Sequence, residues 1–310
     1  MNKSLVPALI TVALLSGTAF AASSEVEVRL ILDEKNILPA TPTGLRIAVV
    51  NHGEEPLHLP GAVSLVARDA VGKMFTLHEF NMTGSLAAPV PEEVRVVPAR
   101  GSQELRFDPS NAVAGSPWLM DERLWKPGSY RLRAVLASEI RPDGTFDAGT
   151  SLVSDEETLT VVGPTGEDAT VWAWMQGQKW NEQAWMMRGG DLAKFIIPEH
   201  SQSQYTLFVA RFVPQSDGPA PLHAELVARF PNHSFTDQVR LLQVHGYKEA
   251  AGIAYRQKDL YHSANDWDQA RTIASGLVRN SRSAKVRALA KDLLDRMPTR
   301  DQVTKKPEAP

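Results

Sequence analysis

Four tryptophans, Trp172, Trp174, Trp180 and Trp185, crowd one short stretch of the chain. An indole face stacks on a sugar ring or a peptide side chain, and its N–H donates a hydrogen bond. Such a cluster is therefore the pattern of a stacking surface, and equally the pattern of a filled interface between helices. Trp172 and Trp174 stand two apart, so one helix face does not hold both, and one of them is expected to be partly exposed. Eight histidines, at positions 52, 58, 78, 200, 223, 233, 245 and 262, offer ring nitrogens as metal ligands or proton carriers. None stands in H-E-x-x-H, and no tight His/Asp/Glu cluster has metal-ligand spacing. His52 and His58 flank a turn, whereas His78-Glu79 and Glu199-His200 are adjacent and point apart in a strand.

Nucleophilic chemistry finds no frame either. There is no G-x-S-x-G elbow, no phosphate-binding Walker loop and no G-x-G-x-x-G. The chain has no cysteine, so thiol catalysis is impossible. A carboxylate pair for glycoside hydrolysis needs two of 36 acids to converge in space, which spacing alone does not disclose. The sequence predicts no catalytic residue, no metal and no cofactor.

The N-terminus carries a charge and then a short apolar run: Lys3, then Leu5 to Leu15, then Ala19-Phe20-Ala21. This is the pattern of a bacterial-style signal peptide over residues 1–21, with cleavage expected between Ala21 and Ala22. The apolar run falls short of the ~20 residues that span a bilayer, and no later segment is long and apolar enough. The mature chain is expected in the periplasm or outside the cell, with no transmembrane segment. Without cysteine it has no disulfide staple, so core burial must hold it. A net charge of −3 argues against a nucleic-acid partner.

The punctuation that organises the chain is Val161-Val-Gly-Pro-Thr-Gly-Glu-Asp168. Before it, apolar residues alternate; after it, they recur three and four apart. The reading is a multidomain β + α chain. An antiparallel β-sandwich occupies 22–163, an α-helical repeat-like domain 164–297 and a disordered polar tail 298–310. Strands are expected at Glu25–Leu32, Leu45–Val50, Val63–Arg68, Met74–His78, Val94–Val97, Glu104–Phe107, Tyr130–Leu136 and Thr158–Val162, with loops at Asn81–Pro91 and Asp108–Pro117. A one-residue slip would turn a strand's apolar set to water, at about 1.5–3 kcal/mol per large side chain.

Two stretches resemble known families. Leu45 to Leu59, L-R-I-A-V-V-N-H-G-E-E-P-L-H-L, resembles an early strand pair of secreted immunoglobulin-like domains and of the bacterial proteinase-inhibitor-like sandwich family, where a strand ends in Asn before a turn. Leu124-Trp-Lys-Pro-Gly-Ser-Tyr130 is similar to the L-x-P-G-x-Y corner of immunoglobulin-like folds. That resemblance implies a turn at Pro127-Gly128 and an anchoring role for Tyr130. It specifies a fold and hardly a function.

In the second half, helices are expected at Glu167–Met175, Asp191–Ile197 closed by Pro198, Gln204–Phe212, from Pro219 to Arg229, Phe235–Val244 and Tyr247–Gln257. Asp266-Trp-Asp-Gln269 reads as a capping box opening another helix, and Ser283 as the cap of the last. Glu225-Leu-Val-Ala-Arg-Phe-Pro-Asn-His-Ser-Phe235 resembles the join between tetratricopeptide-type repeats. By that resemblance Gly252 and Tyr255 are packing positions of a first helix, and Ala270 and Ala274 the small positions of a second. Asp259 to Asn265 reads as a connection too long for the standard repeat.

With broad surfaces and no reactive constellation, the expectation is an exported, non-enzymatic binding protein whose partner is another protein. One alternative is a proteinase-inhibitor-like module presenting the loop Asn81–Pro91. The other is glycan binding through Trp172, Trp174, Trp180 and Trp185.

Overall fold

The computed structural model describes residues 25–77, 88–90, 94–107, 122–147, 149–213 and 220–304. The leader, His78, most of the Asn81–Pro91 loop and all of Asp108–Pro117 lie outside the described residues. Strands fill the first half and helices the second.

Strands β1 (Val26–Leu32), β3 (Leu45–Asn51) and β9 (Ser102–Phe107) form one antiparallel sheet in the order β1-β3-β9. A larger sheet runs β2 (Asn36–Ile37), β12 (Glu157–Val161), β10 (Gly128–Ala137), β5 (Ala62–Arg68), β6 (Met74–Leu77). At its margins β7 (Ala88–Pro89) pairs with β5 and β11 (Leu152–Val153) with β10. The β2–β12 pair is parallel, so this sheet is mixed. A short antiparallel pair, β4 (Leu57–His58) and β8 (Val96–Val97), stands apart.

Alternation sets the register. Val28 faces Val49, Leu30 faces Ile47 and Leu32 faces Leu45 across β1 and β3, and all six are buried. On β10, Tyr130, Leu132, Ala134 and Leu136 turn to the same core, which also takes Leu65 and Ala67 from β5. One continuous core thus receives side chains from both large sheets. Asn51, at the end of β3, is buried and organises the turn beyond it. Its Oδ1 accepts from the Gly53 N–H at 3.0 Å, and its Nδ2 donates to the Glu55 carbonyl at 2.8 Å.

The helices are α1 (Gly166–Gly177), α2 (Glu182–Met187), α3 (Gly189–Glu199), α4 (Thr206–Val209, continued as a 3-10 turn to Phe212), α5 (Pro221–Arg229), α6 (Thr236–Arg256), α7 (Leu260–Asn280), α8 (Ala284–Arg296) and α9 (Arg300–Thr304). Several sequence expectations are corrected here. The two helices expected over Phe235–Val244 and Tyr247–Gln257 are one, because Gly246 lies buried inside α6 and does not break it. The Asp266–Gln269 capping box lies inside α7; the cap is Asp259, whose carboxylate accepts from the His262 N–H at 3.1 Å. Asp259 to Asn265 is therefore no long connection, and only Gln257–Asp259 separate α6 from α7. Tyr255, expected to pack, is 55% exposed. Pro198 lies within α3, Pro221 takes the first turn of α5, and part of the expected tail is α9, which buries Val303. Ser283 caps α8 as expected, accepting from the Val286 N–H at 3.2 Å.

The change from strand to helix at Gly163-Pro164 is not a gap between halves. Leu38 and Ala40 from the strand half are buried in the core that α1 to α6 build. The Tyr205 hydroxyl donates to the Pro39 carbonyl at 2.8 Å, and the Ser234 N–H donates to the Glu34 carboxylate at 2.8 Å. Trp125 meets Trp172 edge-on, with ring centroids 6.1 Å apart.

Candidate functional site

The structure links three of the four tryptophans, Trp174, Trp180 and Trp185, in one chain of ring contacts, while Trp172 pairs with Trp125. Trp174 stacks on Phe195 at 4.8 Å and leans on Trp180, and Trp180 meets Trp185 edge-on at 5.8 Å. Trp185 continues to Phe208. Trp180 and Trp185 are buried, so neither ring offers an open face for a sugar. Trp172 and Trp174 are half-buried and packed against the same core. Asn181 starts α2 by accepting from the Ala184 N–H at 2.8 Å, which fixes where Trp185 enters that core.

Among the described residues the histidines do not converge on a shared site. His52 stands 3.6 Å from the Glu27 carboxylate on the β1–β3 edge, and the His262 ring lies 2.5 Å from the carboxylate of Asp259, the cap of α7. Two sit in the helical core. His223 is fully buried and donates from Nε2 to the Ala210 carbonyl at 3.0 Å. Its Nδ1 has no partner among the described residues, and burial lowers its pKa, so the ring is neutral. At His233 the Phe235 N–H donates to Nδ1 at 3.1 Å. The proton then sits on Nε2, and the Gln204 amide, 3.0 Å away, must turn its oxygen to that nitrogen. Burial pushes the His233 pKa down to about 4. Among the described residues no group of three or more His, Cys, Asp or Glu could hold a metal.

A cleft in the helical half lies where α5, α6 and α7 meet, with a volume of about 420 Å³. Val227, Ile273 and Leu277 supply an apolar floor, while Asp237, Arg240, Gln243 and Asn280 supply donors and acceptors. Helical spacing explains the grouping. Asp237, Arg240 and Gln243 recur every three residues on α6, as Ile273, Leu277 and Asn280 do every three or four on α7. Arg240 donates to the Asp237 carboxylate at 2.7 Å, which holds both side chains in place. Gly276 lines the same cleft, and a β-carbon there would meet nothing within 4 Å. Sequence reasoning missed this site: polar residues on a helix face read as solvated until a neighbouring helix is seen to wall them in.

No protein-family model and no curated protein matches the chain. Several solved structures match parts of the chain at low similarity. The sporulation control protein Spo0M of Bacillus subtilis is 11% identical with a TM-score of 0.30, the match covering 50% of this chain and 56% of that one. The alkylpurine DNA glycosylase AlkC of Pseudomonas fluorescens, bound to DNA with an abasic-site analogue, is 14% identical with a TM-score of 0.26, covering 44% and 30%. The CARDB domain of the PF1109 protein of Pyrococcus furiosus, in complex with di-metal ions, is 11% identical with a TM-score of 0.26, covering 45% and 94%. The chain thus spans little more than half of the first and under a third of the second.

Proposed function

We propose that the chain is an exported, non-enzymatic binding protein that docks a segment of another protein in the cleft between α5, α6 and α7. The observation that carries this reading is the character of that cleft. It is about 420 Å³, has an apolar floor, and is rimmed by Asp237, Arg240, Gln243 and Asn280. Amide and charged side chains over aliphatic ones match a peptide, whose backbone amides need partners and whose side chains need burial.

On this reading the strand half is an immunoglobulin-like module. The Tyr130 hydroxyl bonded back to Lys126 supports that, as does the buried Asn51 at the end of β3. The helical half is tetratricopeptide-like, supported by the short turn between α6 and α7 and by Ala251, Ala270 and Ala274, all buried along that hairpin. Export rests on the leader over residues 1–21, and N-terminal sequencing of the mature chain should begin at Ala22. The burial of Trp180 and Trp185 gives the glycan reading no support.

Filling the cleft tests the docking. Gly276→Trp places an indole in space that a β-carbon enters freely. The wild-type mature chain should retain a defined protein from a periplasmic extract, and Gly276→Trp should lose it at least tenfold with an unchanged melting temperature. Equal retention by both chains would remove the cleft from the proposal.

A further inference from the structure

On its outer face, away from the main core, the large sheet carries Arg68 on β5 and Arg131 and Arg133 on β10. Arg131 and Arg68 stand directly opposite each other in register. Like charges so placed destabilise a sheet. One carboxylate, Glu156, answers all three: Arg68 donates to its Oε1, the Arg133 guanidinium pairs with the same oxygen at 3.0 Å, and Arg131 reaches Oε2 at 3.4 Å. Three guanidinium groups present about fifteen N–H donors, and one carboxylate accepts about four hydrogen bonds. The cluster therefore keeps a surplus of positive charge and of donors.

These residues line a cleft of about 110 Å³ whose remaining walls are apolar: Val66, Met74 and Phe146. The Phe146 wall is held in place. Phe146 forms a β-bridge with Ile140, and the Thr76 hydroxyl donates to the Arg141 carbonyl at 2.6 Å. Gly144, at φ +82°, brings the turn down onto Val66.

We propose that this cleft binds the C-terminal residue of a peptide, its carboxylate on Arg131 and Arg133 and its side chain against Val66, Met74 and Phe146. Guanidinium forks match a carboxylate bidentately. In a C-terminal residue the carboxylate and the side chain leave the same carbon, which suits an arginine rim beside a small apolar wall. Inorganic phosphate lacks the apolar part, and an Asp or Glu side chain carries only one or two methylenes, with no apolar branch on the carbon that bears its carboxylate. The site is independent of the helical cleft.

The test is fluorescence polarisation on the full mature chain at low salt. The probes are fluorescein-Gly-Gly-Ser peptides ending in Val, Leu or Phe, as free acids and as C-terminal amides. At least one free acid should bind, with its amide at least tenfold weaker. Arg131→Gln with Arg133→Gln should cost at least tenfold while Gly276→Trp binds normally, which separates this site from the helical one. The acid–amide comparison needs no variant and stands even if the arginine pair fails to fold. Absence of binding by all three acids would overturn the proposal, as would equal binding of acid and amide. So would equal binding of a peptide ending in Glu-amide, or equally good competition by inorganic phosphate.

Discussion

The hydroxyl of Tyr130 lies 2.8 Å from the carbonyl oxygen of Lys126, four residues upstream. The Arg123 carbonyl stands 3.0 Å from the same oxygen. A phenol has one proton, so the two carbonyls share it, the nearer taking the larger part. The ring itself is buried in the core of the strand half. The bond therefore ties the turn at Pro127-Gly128 to the start of β10 at the point where the chain enters the sheet.

Tyr130→Phe keeps the ring and removes the tie. It should cost about 1 kcal/mol of unfolding free energy, the net worth of one such bond. Urea denaturation reads this directly, and an unchanged midpoint would show that the tie contributes nothing to stability.

Gly144 offers a matched pair with Gly72. Both have positive φ, +82° and +86°, so any side chain strains both. They differ in space: a β-carbon at Gly144 would sit 2.9 Å from Val66 Cγ1, and one at Gly72 would meet nothing within 4 Å. Gly144→Ala should therefore destabilise more than Gly72→Ala, by about 1 kcal/mol or more, since overpacking adds to backbone strain. Equal losses in thermal denaturation would mean that the Asp143–Thr145 turn lifts off the sheet without cost.

Trp185 is 1% exposed and wedged between Trp180 and Phe208. Trp185→Ala should cost about 3–5 kcal/mol, as for other large aromatic truncations in a core. The half-buried Trp172 should cost clearly less. Glycan-affinity retention together with unchanged stability in Trp185→Ala would reverse the assignment of this ring to the core.

What the sequence displayed was periodicity. Alternation in Val26–Leu32, Leu45–Asn51 and Gly128–Ala137 placed these strands to within a few residues, because each has one face in a core and one outside it. Helix ends were harder. Asp259 and the Asp266–Gln269 tetrad both offer capping chemistry, and only the packing of α7 on α6 decides that the first one caps. The binding features were hidden for a different reason. Arg131 and Arg133, two apart on a strand, visibly share a face, but Arg68 joins them only through the pairing of β5 with β10. Gln243 and Asn280 likewise meet one cleft only once α6 and α7 are paired.

Acidity should act through the helical core. In the folded chain the pKa of His233 is pushed down to about 4 by burial, from an ordinary value near 6.5. Between those two values the unfolded chain binds the proton and the folded chain does not, so stability falls as pH falls through that window. Above about 6.5 both states are neutral and the contribution is fully present. The full loss, reached near pH 4, is at most about 3 kcal/mol from this residue. His223, whose pKa is also lowered by burial, acts in the same direction. Carboxylates with lowered pKa values, such as Glu156, lose their contribution further down. There burial raises the pKa, but the Arg68 hydrogen bond and the charges of Arg133 and Arg68 outweigh it. Urea midpoints measured from pH 7 to 4.5 should therefore fall steeply for the wild type and less for His233→Gln, which retains an amide to meet Gln204 and the Phe235 N–H. Parallel slopes for the two chains would show that His233 takes its proton without leaving the fold.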